Sequence, residues 1–245
     1  MIEYRVLTLR GQSSAGPAVV HPVVFFDGAD VVLCDAGFPG QVEQIDAELK
    51  KHGLSVGGLT KIVITHHDHD HMGSLRALKE TNPGIEIVAD EREADFIEGA
   101  KTSLRLVQAR ALNASLTGAD LGFGQWFCSY LETIQPCAVD RRLGPEDRSV
   151  IDGLEVVPTP GHMPGHVSLY LRDAALLVSG DALAAQDGRL MMANPKFTLD
   201  MAEAVRSVER LAAMRIDTVV CYHGGVVSGD IRRMLDVLLG MHGSA

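Results

Sequence analysis

Residues 65–73 read THHDHDHMG and place four histidines and two aspartates in the six positions from His66 to His71. Imidazoles and carboxylates this crowded are costly to bury unpaired, so an ordinary apolar core has no use for them. A divalent metal ion has, because histidine nitrogen and carboxylate oxygen suit Zn, Fe and Mn. The alternation of His and Asp permits more than one ligand register, and residue type alone leaves the choice open.

Single candidates recur further along: His162 and His166 in PTPGHMPGH, Asp181 in SGDAL, and Tyr222 and His223 in CYHGG. Each alone reads equally as a Pro-Gly turn, a helix cap or a structural histidine at a glycine bend. Asp35 in CDAG reads equally as a turn cap. Their shared feature is position, because an apolar strand-like run precedes each loop: KIVIT, LEVVPTP, ALLVSG and TVVCY. Loops at the ends of rigid strands are where a sheet can converge polar side chains on one point. Four such loops, each carrying His or Asp beside Gly, predict a convergent metal centre.

The elements that must hold these loops are legible from periodicity. The opening runs YRVLTL, AVVHPVVFF and VVLCDAG, with DGAD between the last two, predict an antiparallel hairpin. Val42, Ile45 and Leu49 recur at helical spacing, with Gly53 as the stop. A helix over SLRALKETNPG and a strand over IEIVAD complete a βαβ-like unit around the cluster. Residues 91–135 carry no comparable strand signal and read as an insertion of two or three helices. Strands return with SVIDGLEVVP, VSLYLRD and ALLVSG. A helix over 198–214 is expected to be capped by Thr198 with Asp200 in its first turn, and a helix from about Ser228 closes the chain.

The 245 residues read as a single domain, 1–245, long enough to bury a substantial core. Against 32 Asp and Glu stand 22 Lys and Arg, a net charge of −10. That field repels phosphate backbones and anionic lipid surfaces, so neither nucleic acid nor membrane is an expected partner. An acidic N-terminus without a signal-length apolar run sets the expectation of a cytoplasmic protein. Cys34, Cys128, Cys137 and Cys221 show no paired short spacing and are expected to stay reduced there.

Taken in order, these motifs resemble the metallo-β-lactamase superfamily. Its pattern is a Thr-His-x-His-x-Asp-His loop after a strand, a His in a Pro-Gly-His turn, an Asp in Gly-Asp, and a His beside Gly near the C-terminus. The resemblance runs from VVLCDAG to CYHGG. It implies an α/β (α+β) fold, a four-layer αββα sandwich with the metal centre at one edge between the sheets and the helical insertion between its halves. It also sets the register: Thr65, His66, the Asp70-His71 pair and Gly73 match the pattern, which places Asp68 where most members have their second histidine. Carried over, one metal site is His66, Asp68 and His162, the other is Asp70, His71 and His223, and Asp181 bridges them. His67 and His69 fall between ligand positions, turned away or touching substrate. His166, Asp35 and Tyr222 are assigned supporting or substrate-binding places.

The implied chemistry is hydrolysis by a hydroxide bridging two divalent ions about 3.5–4 Å apart. Asp70 would ligate one ion and also orient the hydroxide or relay its proton. The resemblance implies zinc; Asp68 takes the ligand carboxylates to three, and that charge favours Mn or Fe(II) instead. Leu104, Leu106, Phe123, Trp126, Phe127, Tyr130 and Leu131 read equally as an apolar wall or a helical core. An apolar wall suits a small-molecule ester, lactone or thioester with an apolar portion, lactonase-like activity foremost. A glyoxalase II-like thioesterase ranks lower, because the chain shows no C-terminal helical domain of the kind that holds glutathione. A mononuclear iron oxygenase acting on persulfides is the alternative from another class, and a non-catalytic metal or ligand binder ranks last. An exposed apolar face on the inserted helices would make a homodimer unsurprising.

Overall fold

The structure is a computed structural model and describes residues 1–13 and 16–242. In chain order, β1 (Glu3–Val6) is followed by the β2–β3 hairpin (Leu9–Ser13, Gly16–Val20), β4 (Val23–Phe26) and β5 (Val31–Cys34). Then come α1 (Val42–Lys50), β6 (Lys61–Ile64), α2 (Leu75–Thr81) and β7 (Glu86–Asp90). Three helices, α3 (Glu91–Ile97), α4 (Leu104–Asn113) and α5 (Gly118–Leu131), precede β8 (Arg141–Leu143). The second half holds β9 (Ser149–Ile151), β10 (Leu154–Pro158), β11 (Val167–Leu171), β12 (Leu176–Gly180) and the β13–β14 hairpin (Leu183–Gln186, Arg189–Met192). It closes with α6 (Met201–Ala212), β15 (Thr218–Cys221), β16 (Gly225–Ser228) and α7 (Ile231–His242).

Two six-stranded sheets result, ordered β1-β4-β5-β6-β7-β8 and β16-β15-β12-β11-β10-β9. Side-chain alternation along the strands builds the layers. Val32, Cys34 and Val63 point into the core between the sheets, where they meet Val178 and Val220. Their neighbours Leu33, Ile62 and Ile64 point the other way and pack under α1 and α2 with Ile45, Leu49, Leu75 and Leu78. On the far side Leu177, Val219 and Cys221 pack against Val208 and Leu211 of α6 and Leu235 of α7. The fold is therefore the four-layer αββα sandwich, and α4 and α5 add a small core of their own around Leu106, Phe127 and Leu131.

Strands β5, β6 and β7 are parallel, as are β12 and β15. Their C-terminal ends lie at one edge of the sandwich, and the candidate loops leave from there. A backbone hydrogen bond from Val167 N–H to the Thr65 carbonyl (3.1 Å) ties the sheets together beside the cluster. Two glycines let the loops close. A Cβ on Gly73 would lie 2.4 Å from the His69 carbonyl oxygen, and one on Gly180, whose φ is +51°, would lie 2.7 Å from His166 Nε2.

Two expected boundaries are corrected. Asp200, not Thr198, caps α6, accepting from Glu203 N–H at 2.9 Å, because the Thr198 hydroxyl donates to the Asn194 carbonyl and closes the preceding turn. Ser228 ends β16, and the last helix begins at Ile231. All four cysteines are buried free thiols.

Candidate metal centre

Asp35 begins the site. It takes a positive φ of 66° at the end of β5 and accepts from both Thr65 N–H (2.9 Å) and the Thr65 hydroxyl (3.0 Å). It also accepts from His71 Nδ1–H at 2.9 Å. The Thr65 hydroxyl, its proton given to Asp35, accepts from His66 Nδ1–H at 3.0 Å. Both rings are thereby fixed in the tautomer that leaves Nε2 as a bare lone pair. His66 Nε2, His71 Nε2 and Asp181 Oδ1 are buried without any hydrogen-bond partner. Three orphaned acceptors converging in one place are what a cation would satisfy.

The donors gather as His66, Asp68 and His162; as Asp70, His71 and His223; and as His66, His71 and Asp181. Ligand atoms about 2.0–2.1 Å from a tetrahedral ion stand about 3.4 Å apart. His71 Nε2 is 3.3 Å from Asp181 Oδ1, and His223 Nε2 is 3.3 Å from Asp70 Oδ2 and 3.5 Å from Asp181 Oδ1. Asp181 turns its other oxygen, Oδ2, to His162 Nε2 at 3.6 Å. Electrostatics agree with the geometry. Burial would lower the His71 and His223 pKa values, but Asp181, joined by Asp35 for His71 and by Asp70 for His223, raises both. Burial opposes the charge on Asp181, yet His223 and His71 hold its carboxyl well below the usual range.

The group of His66, Asp68 and His162 has an additional member that the sequence reading passed over. Arg105 of α4 is buried and grips Asp68 with two nitrogens, Nε to Oδ1 at 3.0 Å and Nη2 to Oδ2 at 2.6 Å. Burial opposes the Asp68 charge, but the Arg105 guanidinium, His162 and His66 together outweigh it and hold the carboxyl well below its usual range. The three carboxylates Asp68, Asp70 and Asp181 are thus offset by one positive charge. The preference for a harder ion, argued from Asp68 alone, loses that premise.

The intervening histidines have separate places. His67 is buried, stacked on Phe96 and hydrogen-bonded through Nδ1–H to Glu93. His69 meets Phe127 and Tyr130 edge-on and lines the cavity. His166 accepts from Asp181 N–H at 2.9 Å through Nε2, and burial, then His66 and His162, hold its pKa well below that of a free imidazole. Tyr222 is fully buried, lies 3.9 Å from the His71 ring and donates its hydroxyl to the Asp70 carbonyl, so it supports the loop and does not line the cavity.

A cavity of about 320 Å³ opens on the centre, and its polar lining includes Asp68, Asp70, Arg105, His162, Asp181 and His223. Its apolar lining includes Ala18, Phe38, Phe127, Leu183, Ala193 and Phe197. Of the seven inserted residues that read equally as wall or helical core, Phe127 alone lines the cavity. Leu106 and Leu131 are core, and Phe123 and Trp126 are exposed. Phe38 and Phe197 carry no periodic signal that points to the cavity; only the folded loops bring them there.

A four-layer sandwich with His and Asp groups at one edge defines a class of metallo-hydrolase. The chain belongs to the metallo-β-lactamase superfamily, whose sequence model matches residues 15–223. It is 27% identical over 213 residues to a probable metallo-hydrolase of Bacillus subtilis, YflN, covering 81% of this chain and 76% of that protein. It is 28% identical over 165 residues to a hydroxyacylglutathione hydrolase of Cereibacter sphaeroides, covering 66% of this chain and 47% of that protein. The chain thus spans about half the length of that hydrolase. A solved metallo-β-lactamase family protein from Thermus thermophilus shares the fold, with a TM-score of 0.76 at 20% identity over 98% of this chain and 79% of that one. The chain is accordingly a hydrolase, and its described residues include no helix long and apolar enough to cross a membrane.

Proposed function

We propose that the chain hydrolyses an ester, lactone or thioester that has an apolar portion, lactones foremost, using metal held by the His and Asp cluster. The cavity carries this reading, because its lining combines the donor set with Phe38, Phe127, Leu183 and Phe197. The metal ligands are proposed as Asp70, His71, His223 and Asp181, with His66, Asp68 and His162 as a second group of donors beside them. A divalent ion there, zinc by family habit, supplies the Lewis acidity that polarises a carbonyl and makes water nucleophilic near neutral pH.

The chain's own groups do the rest. Asp70, with Oδ2 toward His223 and Oδ1 toward His69 (3.7 Å), orients the attacking water and takes its proton. Asp35 and Thr65 keep the His66 and His71 lone pairs aimed inward. The aromatic wall receives the apolar part of the substrate and excludes bulk water. The persulfide oxygenase alternative asks Asp70 and His223 to stand aside from the metal, and their 3.3 Å approach favours hydrolysis. Four buried free thiols suit a reducing compartment such as the cytoplasm.

The test is a panel of lactones, thioesters, aryl esters, β-lactams and phosphodiesters assayed with Zn, Mn and Fe(II). The expected outcome is kcat/KM for a medium-chain lactone or thioester at least a hundredfold above that for any phosphodiester. A phosphodiester preference, or oxygen consumption without hydrolysis, overturns the reading.

A further inference from the structure

Arg105 does more than neutralise Asp68. Its Nη2 also points a hydrogen at His162 Nε2, 3.2 Å away, and that nitrogen is itself 3.1 Å from Asp68 Oδ2. Whichever tautomer His162 adopts, Nε2 is engaged: as a lone pair receiving Arg105, or as an N–H directed to Asp68. A metal ion needs that same lone pair, free and unprotonated. Of the first triad, two of three donor atoms are therefore already committed to protein partners, and only His66 Nε2 is not. The second triad shows no comparable competitor: no lysine or arginine side chain forms an ion pair with Asp70 or Asp181 among the described residues.

The guanidinium is placed by the metal loop itself. His67 and Asp68 are consecutive, and so are their partners at the start of α4. Leu104 N–H donates to His67 Nε2 at 3.1 Å, and Arg105 pairs with Asp68. Glu93 locks the clamp from α3: its Oε2 pairs with His67 Nδ1 and accepts His67 N–H, and its Oε1 accepts Gly165 N–H at 2.6 Å from the loop after His162. Outside the triad, Arg105 is held by Gln108 Oε1 through Nη1 and lies 5.1 Å from the Phe197 ring. A side chain held by Asp68, His162 and Gln108, and 2% exposed, does not swing away at small cost.

We infer that the Arg105 guanidinium is the resident cation of the His66, Asp68 and His162 triad, so that this chain binds one divalent ion tightly, among Asp70, His71, His223 and Asp181. Charge fits this count. Arg105 matches Asp68, one divalent ion matches Asp70 and Asp181, and a second ion would add two positive charges beside a buried guanidinium. The inference rests on the hydrolase reading only for the claim that the donors bind metal, and it turns the dinuclear centre into one ion facing one fixed organic cation.

Metal counting tests it without any substrate. The chelator-stripped full chain is titrated with Zn(II) and with Co(II), and bound metal is measured by equilibrium dialysis and elemental analysis. One ion per chain is expected, with any second ion at least a hundredfold weaker. Arg105→Met is expected to bind two ions whose affinities lie within about tenfold of each other. Because Arg105→Met leaves Asp68 buried and unpaired and can misfold, His162→Ala and His223→Ala provide a second measurement. His162→Ala should change the tight affinity less than threefold, and His223→Ala should weaken it at least thirtyfold. Two ions of similar affinity in the unaltered chain, or loss of the tight ion in His162→Ala, overturns the inference. One tight ion in a chain that hydrolyses nothing on the panel would overturn the proposed activity and leave this inference standing.

Discussion

The two triads contain the same residue types, two histidines and one aspartate each, and they share Asp181, yet they differ in what stands behind the aspartate. Behind Asp68 is a buried guanidinium held by α4; around Asp70 are His223, His69 and the Tyr222 hydroxyl on its carbonyl. Donor count alone would give both sites equal standing. Hydrogen-bond commitments separate them, because an acceptor already paired to a fixed cation has little left to offer an ion. A metal motif is therefore read fully only when the partners of each ligand atom are known.

The comparison breaks hardest at Asp70. Asp70→Asn keeps the shape but removes both the base and a charged ligand, so kcat for the best substrate of the panel should fall about 10²–10⁴-fold even in protein saturated with added metal. Metal loss in proportion to activity would mean that Asp70 only ligates; activity within threefold of the unaltered chain would remove it from both roles. Asp35→Asn probes the anchoring of His71 in the better-disposed triad. Losing a carboxylate that fixes a ligand histidine should weaken the tight ion about 10–100-fold by dialysis. An unchanged affinity would show that Thr65, 3.3 Å from His71 Nδ1, suffices.

Much of this was written in the sequence, and the remainder had physical reasons not to be. The strands showed because Val32, Val63 and Val178 alternate with residues packed on the opposite face, which is a period-two signal. The loops showed because His and Asp follow those runs directly. The sequence offered Asp68 as the partner of His66 and His162, and the structure puts it among them rather than His67 or His69. Arg105 stayed hidden because it lies 37 residues from Asp68 in a helix flanked by Leu104 and Leu106, where an arginine looks like any solvated helical charge. The one available signal was the carboxylate excess of the cluster, which demands a counter-charge without naming it. Most of the cavity wall stayed hidden for a similar reason: Phe38 and Phe197 lie in irregular segments, where no period ties a side chain to a face.

Glu93 separates the clamp from the chemistry. Glu93→Ala leaves the His67 backbone and ring donors and Gly165 N–H without their buried acceptor, at a cost of about 1–3 kcal/mol per orphaned group. Urea denaturation of the metal-free chain should register a loss in that range, and a change below roughly 0.5 kcal/mol, the scatter expected of surface substitutions, would mean water replaces the carboxylate.

Phe197→Ala is the smallest and most selective change. Phe197 is partly exposed, lies against Arg105 of the triad that holds the guanidinium and lines the cavity. Removing a half-covered ring forfeits about 1 kcal/mol of apolar contact, so KM for a long-chain lactone should rise about threefold to tenfold. The same variant should leave kcat, and KM for a short-chain lactone, within twofold, because the reacting bond sits on the other triad. A fall in kcat with KM unchanged would instead place the reacting carbonyl over Arg105, and the division of labour between the two triads would have to be reversed.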